Sequence, residues 1–364
     1  MTLKDKRNHY NVKLLRGYGV SINLKDNKII LKNGQNDITG RSEKEEWFVT
    51  QIPYEKIVIS GKGYVSTEAI KLLSEKNLNV ILTDTYGNLI SNMNNVMSST
   101  TATQYRIGQY DTFRDPEKVR YLRKKLLSDK LESQINFLRS LEKPELEEGI
   151  HKLQQYKNQV ESLREWKDFL TVESRCGHIY FRNYAKLFDP KYKFDSRHGG
   201  GLVLSNRYAS DVINALLNYG YTVLSGEISK FVNGLGLDAY YGFYHKPHSS
   251  FQALVYDLIE PFRWLIEYSV YKLANHQNYW KQIKSKEYTW TREGKIVMDS
   301  DLVRRFLEVL ERKFQSERPY KSKHGLKMKN GMAMCQEITI AKIFVENIGN
   351  YNIGNNDKVN LVDA

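Results

Sequence analysis

NMNNVMSSTTAT, residues Asn92–Thr103, is small and polar and has almost no hydrophobic periodicity; it divides the chain into two kinds of pattern. Before it the reading is β-rich. Val20–Leu24 and Lys28–Lys32 flank Asp26-Asn27, a short hairpin signal. Trp47–Ile52 and Ile57–Ser60 flank Pro53, and Asn79–Leu82 is a further apolar run. Between them Ser66–Lys76 has helical spacing, with Ser66 or Thr67 as its cap and Glu68 in its first turn. After the divide the spacing turns helical. Pro116 stands at a first helical position, ahead of Val119, Leu122, Leu126 and Leu127. Further helical stretches are Gln134–Leu141, Glu145–Arg182, Ser210–Asn218, Thr222–Asn233, Phe251–Leu273, Asp301–Phe314 and Met334–Val345. The expectation is an α+β multidomain protein. An N-terminal β-rich domain over 1–92 and a linker over 93–103 precede a larger all-α domain over 104–349 and a tail over 350–364.

The 364 residues suffice for one large or two ordinary cores. Mean hydropathy is −0.57 and no apolar run reaches the roughly 18 residues of a membrane span. The charged start, MTLKDKRNHY, lacks the apolar stretch of a signal peptide, so a cytoplasmic protein with no membrane partner is expected. Two cysteines, Cys176 and Cys335, supply neither a disulfide framework nor a four-cysteine zinc site. Net charge is +13, which favours a polyanionic partner such as nucleic acid. Nine basic residues lie between Arg304 and Lys329: Arg304, Arg305, Arg312, Lys313, Arg318, Lys321, Lys323, Lys327 and Lys329. A solvated helix face followed by a loop is one reading, and a surface that neutralises phosphates is the other.

Gly61-Lys62-Gly63 lacks the spacing of a phosphate-binding loop and reads as a turn between a strand and a helix. The helical region offers more. Glu173, in TVESRCGHIYF, has Phe169, Cys176, Gly177 and Tyr180 at helical spacing, which puts it on or beside a buried stripe. A buried carboxylate is costly unless paired or bound to a cation, and a boundary salt bridge would satisfy it as well as a metal. In GFYHKPHSSFQALVYDLIEPFR, Asp257 and Glu260 are three apart on an apolar run, so both carboxylates face one side. A divalent cation would relieve their repulsion, and Arg263 is the alternative partner. With His245, this set suits Mg²⁺ or Mn²⁺ more than Zn²⁺, and such sites serve phosphodiester chemistry.

Three ordered stretches then carry a family resemblance. Glu173 followed at seven residues by Tyr180, the segment from Asp211 to His245, and YDLIEPFR from Tyr256 to Arg263 resemble the signatures of the CRISPR spacer-acquisition integrases, the Cas1 family. IVISGKGYVSTEAIKLLSEKNLNVILTDTYG is similar to that family's strand–turn–helix–strand unit, so the resemblance runs from about Ile57 to about Val345. It implies an N-terminal β domain used for dimerisation, a flexible linker and a helical catalytic, DNA-binding domain. It implies metal ligands at Glu173, His245 and Glu260, with Asp257, Tyr180, Arg263 and Asn214 in support. It further implies a homodimer working with a dimer of the second adaptation protein, Cas2. The implied reaction is attack by the 3′-hydroxyl of a short DNA duplex on a phosphodiester of the CRISPR repeat, with no covalent protein–DNA intermediate.

Departures exist. Ser174, Cys176 and Gly177 stand where the family has glycine and alanines, and Arg207-Tyr208-Ala209-Ser210 stands where prolines are usual. The rival readings are a transposon-borne relative (a casposase), a nuclease of branched DNA, and a non-catalytic DNA scaffold. Against the first, the 19 residues after Val345 are too few for an added helix-turn-helix. Against the last, all three ligand-type residues are present.

Overall fold

The computed structural model describes residues 12–34, 42–54, 56–76, 78–84, 87–93, 100–197, 209–234, 236–245, 252–319 and 327–329. In the N-terminal region β1 (Val12–Lys25), β2 (Lys28–Lys32), β3 (Lys44–Phe48), β4 (Lys56–Val65), α1 (Thr67–Glu75), β5 (Asn79–Thr83) and β6 (Leu89–Met93) follow in order. The six strands form one sheet in the order β3-β2-β1-β4-β5-β6, parallel across β1, β4 and β5 and antiparallel elsewhere. Asp26 and Asn27 both take positive φ, 49° and 59°, the backbone that a two-residue turn between twisted strands needs. Ser66 caps α1 by accepting from the Ala69 N–H at 3.2 Å.

The expected first strand begins eight residues early, because a bulge between Tyr18 and Val20 lets β1 continue past Gly17 and Gly19, both at positive φ. Val49–Gln51, expected as strand, is a 3-10 turn. Gly61-Lys62-Gly63 is no turn; it lies inside β4. A Cβ on Gly63 would stand 1.7 Å from the Val20 carbonyl oxygen, and one on Gly61 would stand 2.2 Å from that of Gly17. These glycines let β1 and β4 approach where the register shifts.

The helical region contains α2 (Thr100–Arg114), α3 (Pro116–Arg139), α4 (Glu147–Gln159), α5 (Trp166–Ala185), α6 (Val212–Gly234), α7 (Ala253–Ile259), α8 (Arg263–Ala274), β7 (Tyr288–Trp290), β8 (Ile296–Met298), α9 (Ser300–Gln315), β9 (Glu317–Pro319) and β10 (Lys327–Lys329). No helix among the described residues is long and apolar enough to cross a membrane. Asp115 caps α3 ahead of Pro116. The two helices expected over Ser210–Asn233 are one. Gly220 does not break α6; its missing side chain admits Ile266 of α8 and Phe306 of α9, whose carbons would stand 2.3 and 2.8 Å from a Cβ. The stretch Glu145–Arg182 is broken at Val160–Ser162, and Phe251–Leu273 is broken at Glu260–Phe262, where Pro261 has no N–H to continue α7. Two hairpins, β7–β8 and β9–β10, interrupt a region expected to be all helical. Of the expected linker, Met93 ends β6, 100–103 open α2 and 94–99 lie outside the described residues. The Met334–Val345 helix and the 350–364 tail also lie outside them.

The sheet packs on two sides. Ile57 and Ile59 join Leu15, Ile22 and α1's Ala69, Leu72 and Leu73 in one core, while Val58 and Ile81 belong to the core of the helices. Every residue of 56–60 is buried, as a strand covered on both faces requires. On the helical side Lys56 lies 2.9 Å from Glu227 of α6 and 3.3 Å from Glu311 of α9. Asn79 donates to Glu227 at 3.0 Å, and Arg16 donates to the Met298 carbonyl of β8.

Candidate active site

Four segments bring the expected residues together. α5 buries Phe169, Val172, Cys176 and Tyr180, so Glu173 stands beside that stripe with its side chain 22% exposed. α7 buries Asp257, and the 3-10 turn that Pro261 enforces buries Glu260. The loop before 245 delivers Tyr244 and His245. The fourth segment was not anticipated: α3 supplies Lys130, whose Nζ lies 2.6 Å from Glu173 Oε1 and 2.7 Å from Glu260 Oε2. Arg263 reaches Glu260 Oε1 at 2.8 Å, and the Tyr244 hydroxyl donates to Glu173 Oε2 at 2.9 Å.

The structure revises the expected pairing of carboxylates. Asp257 and Glu260 have different protein partners. Asp257 Oδ2 accepts from the Phe243 and Tyr244 N–H groups at 2.7 and 3.0 Å, and Oδ1 accepts from the His245 N–H at 2.8 Å and faces His245 Nδ1 at 2.7 Å. One buried carboxylate thus fixes three successive residues of the loop and the ring. Gly242 completes the fit, since a Cβ there would meet Asp257 Oδ2 at 2.6 Å. The carboxylate that shares a cation with Glu260 is Glu173, from α5. Among the described residues no three His, Cys, Asp or Glu side chains stand close enough to hold a metal as placed: Lys130 lies between two of them and the His245 ring is turned onto Asp257.

The charges follow from these contacts. Burial alone would raise Glu260, but Arg263, Lys130 and His245 outweigh it and hold the carboxyl at about 2. Burial and Glu260 push Glu173 up, and Lys130 with Tyr244 brings it below the ordinary carboxylate range. Burial would lower His245; Asp257 more than offsets this and raises it. Burial first, then Glu173, lifts the Tyr244 hydroxyl far above the tyrosine range, so it stays a donor. Burial likewise pushes the Cys176 thiol up to about 12, which leaves it inert as a nucleophile.

Tyr180 is buried and donates to Glu267 at 2.5 Å, so it supports α5 against α8 rather than touching the carboxylate pair. Asn214 holds the start of α6, donating to Asp211 at 2.7 Å and accepting from Arg197 at 2.8 Å. Lys130 and Tyr244 escaped the sequence reading. For Lys130 a signal existed: it is i+4 from Leu126 and i+3 from Leu127, on α3's buried stripe, where an unpaired ammonium is costly.

The model of the family "CRISPR associated protein Cas1" matches residues 14–312. This chain belongs to the Cas1 family. A relative named CRISPR-associated endonuclease Cas1 1, from Archaeoglobus fulgidus, is 27% identical over 329 residues, 85% of this chain and 89% of that one. Two solved structures share the fold. One is a casposase bound to its integration product (TM-score 0.81, 23% identity, 97% of this chain and 96% of that one). The other is a chain of a Cas6-RT-Cas1–Cas2 complex (TM-score 0.72, 17% identity, 93% of this chain and 35% of that one).

Three of the eight basic residues expected at DNA are engaged within this Cas1 fold. Arg304 pairs with Glu308 at 2.8 Å and Asp301 at 3.4 Å, and Arg305 pairs with Glu287 at 2.6 Å. Lys313 lies over the Trp264 and Tyr268 rings, and Arg312 is exposed. Arg318 and Lys327 fall on β9 and β10, while Lys321 and Lys323 lie outside the described residues. By contrast Arg175, His178 and Arg182 line the exposed face of α5, the helix of Glu173, with no ion pair among the described residues.

Because Asp257 orients both the ring and the backbone of His245, Asp257→Asn is expected to lower DNA strand transfer by roughly 10–100-fold. Duplex affinity, read by gel shift on the same preparation, should stay within about twofold; a variant that joins DNA at the native rate removes the orienting role.

Proposed function

We propose that this Cas1-family chain is a metal-dependent DNA integrase and endonuclease of CRISPR adaptation, joining the 3′-hydroxyl of a short duplex to a phosphodiester of the repeat. The observation that carries the reading is the convergence of Glu173 and Glu260 from separate elements beside a loop that presents His245. The donor set fits Mg²⁺ or Mn²⁺: two carboxylates and one imidazole, with both carboxylates held charged by the cations around them. Glu173, Glu260 and His245 would hold the ion. Asp257 engages Nδ1, which assigns the ligand role to Nε2. When bound, such an ion polarises the phosphodiester and favours ionisation of the attacking hydroxyl.

The chain's own groups do the rest. Tyr244 fixes the direction of Glu173, Arg263 neutralises Glu260, and Asp257 keeps His245 and its loop in place. Arg175 and Arg182 offer positive charge to a DNA backbone beside Glu173. For a homodimer, Tyr18, Phe48, Tyr64 and Ile90 offer exposed apolar surface on the sheet region. A Cas2 partner draws on the similarity to the chain of the Cas1–Cas2 complex. The fold likeness to a casposase favours a second reading, insertion at transposon targets.

The test is strand transfer of a labelled duplex into a supercoiled plasmid carrying a leader–repeat, with Mn²⁺, Mg²⁺ or EDTA. Joining is expected only with metal and a free 3′-hydroxyl, at the leader–repeat boundary. Joining in EDTA would sink the metal reading, and equal joining to random duplex would favour the transposon or branched-DNA reading.

A further inference from the structure

Among the described residues Lys130 is the cation placed between the two carboxylates that come from different elements. Its ammonium meets both within 2.7 Å, at Glu173 Oε1 and at the buried Oε2 of Glu260. Arg263 already serves the other oxygen of Glu260, and Tyr244 the other oxygen of Glu173. Lys130 thus takes up one oxygen on each of the two carboxylates that would hold the ion. A lysine head is a compact point charge on a flexible stem, suited to leave without moving its helix. The neighbouring positions of α3 are anchored: Leu126, Leu127 and Leu131 are buried, so the backbone at 130 stays while the side chain swings.

We infer that Lys130 is a built-in, exchangeable counter-cation: it holds Glu173 and Glu260 together in the metal-free protein and is displaced when a divalent ion enters. This rests on the metal reading above and adds a positioning residue to it. The lysine gives the carboxylate pair its geometry while competing with the ion. Displaced, it leaves a positive charge at the rim of a site whose substrate is a phosphodiester.

The test uses the wild-type chain without DNA. Lysine amines are labelled by a brief pulse of acetylating reagent in EDTA or in Mn²⁺, and the label at Lys130 is read by mass spectrometry while calorimetry reports Mn²⁺ binding. Labelling of Lys130 is expected to rise at least tenfold in Mn²⁺, with exposed Lys71 and Lys152 unchanged. In a second arm Lys130→Met, having lost the competitor, is expected to bind Mn²⁺ about tenfold more tightly than wild type. A purely supporting lysine would give the opposite, weaker binding. If Mn²⁺ binds and Lys130 stays protected, the exchange is wrong and the metal site stands. If wild type binds no Mn²⁺ by calorimetry, the metal reading fails and the exchange with it. The labelling arm needs no variant, so it decides the matter even where Lys130→Met does not fold.

Discussion

Glu173→Gln is expected to reduce metal-dependent strand transfer by on the order of a thousandfold, equivalent to about 4 kcal/mol of transition-state stabilisation. The substitution removes the charge of one of the two carboxylates that converge from separate elements, yet keeps the shape and an oxygen that accepts from Tyr244. Partial exposure of the side chain keeps the cost to stability small, so melting temperature and duplex affinity should stay near wild type while joining vanishes. Single-turnover joining in Mn²⁺, measured beside gel-shift affinity, separates the two. A variant that joins at more than a tenth of the native rate would remove Glu173 from the chemistry.

Lys56→Met is expected to cost about 3–5 kcal/mol of folding stability, because it strands two carboxylates, Glu227 and Glu311, against a sheet and two helices. The effect carries its own control. Replacing all three charges with apolar groups of like size should recover most of the loss, since the desolvation penalty of the ions goes with them. The sign with pH is also fixed. Burial would lower Lys56 and raise Glu227, but their mutual attraction overcomes both, holding the lysine above its ordinary range and the glutamate below. A lowered carboxyl stabilises above its unfolded value of about 4.3 and loses that as pH falls through the folded one; a raised lysine stabilises below about 10.4 and loses that as pH climbs. The difference between wild type and Lys56→Met should therefore be full near neutrality and shrink in acid. Denaturant melts at pH 7 and pH 3 check it, and a constant difference would count against the clasp.

Much of the architecture was legible because local signals there agree with tertiary packing. The polar stretch at 92–103 marks the change from sheet to helices, Asp26-Asn27 makes its turn, and Ser66 and Pro116 begin helices where their chemistry says they should. The misses share a cause. Gly220 looked like a break and Gly61 and Gly63 like a turn because a lone sequence shows a missing side chain but not the neighbour that fills the space. Pro261 breaks the stretch expected as one helix, and the apparent i, i+3 pair of Asp257 and Glu260 dissolves into two carboxylates with different partners. The site was legible as residue types and not as contacts. Lys130 lies 43 residues from Glu173, in a helix with no motif, and only the fold brings the two within 2.6 Å.

The burial of β4 on both faces has a consequence for how the chain is made. Its first face finds α1 within a few residues, while its second face awaits Glu227 of α6 and then Glu311, which lies 255 residues downstream. At about 5–20 residues per second of synthesis, the face carrying Val58 waits roughly ten seconds to a minute for its cover. Until α6 is made, Lys56 stands on the uncovered surface as a charge without its helical partners. An inward-pointing lysine of this kind discourages pairing with other nascent sheets.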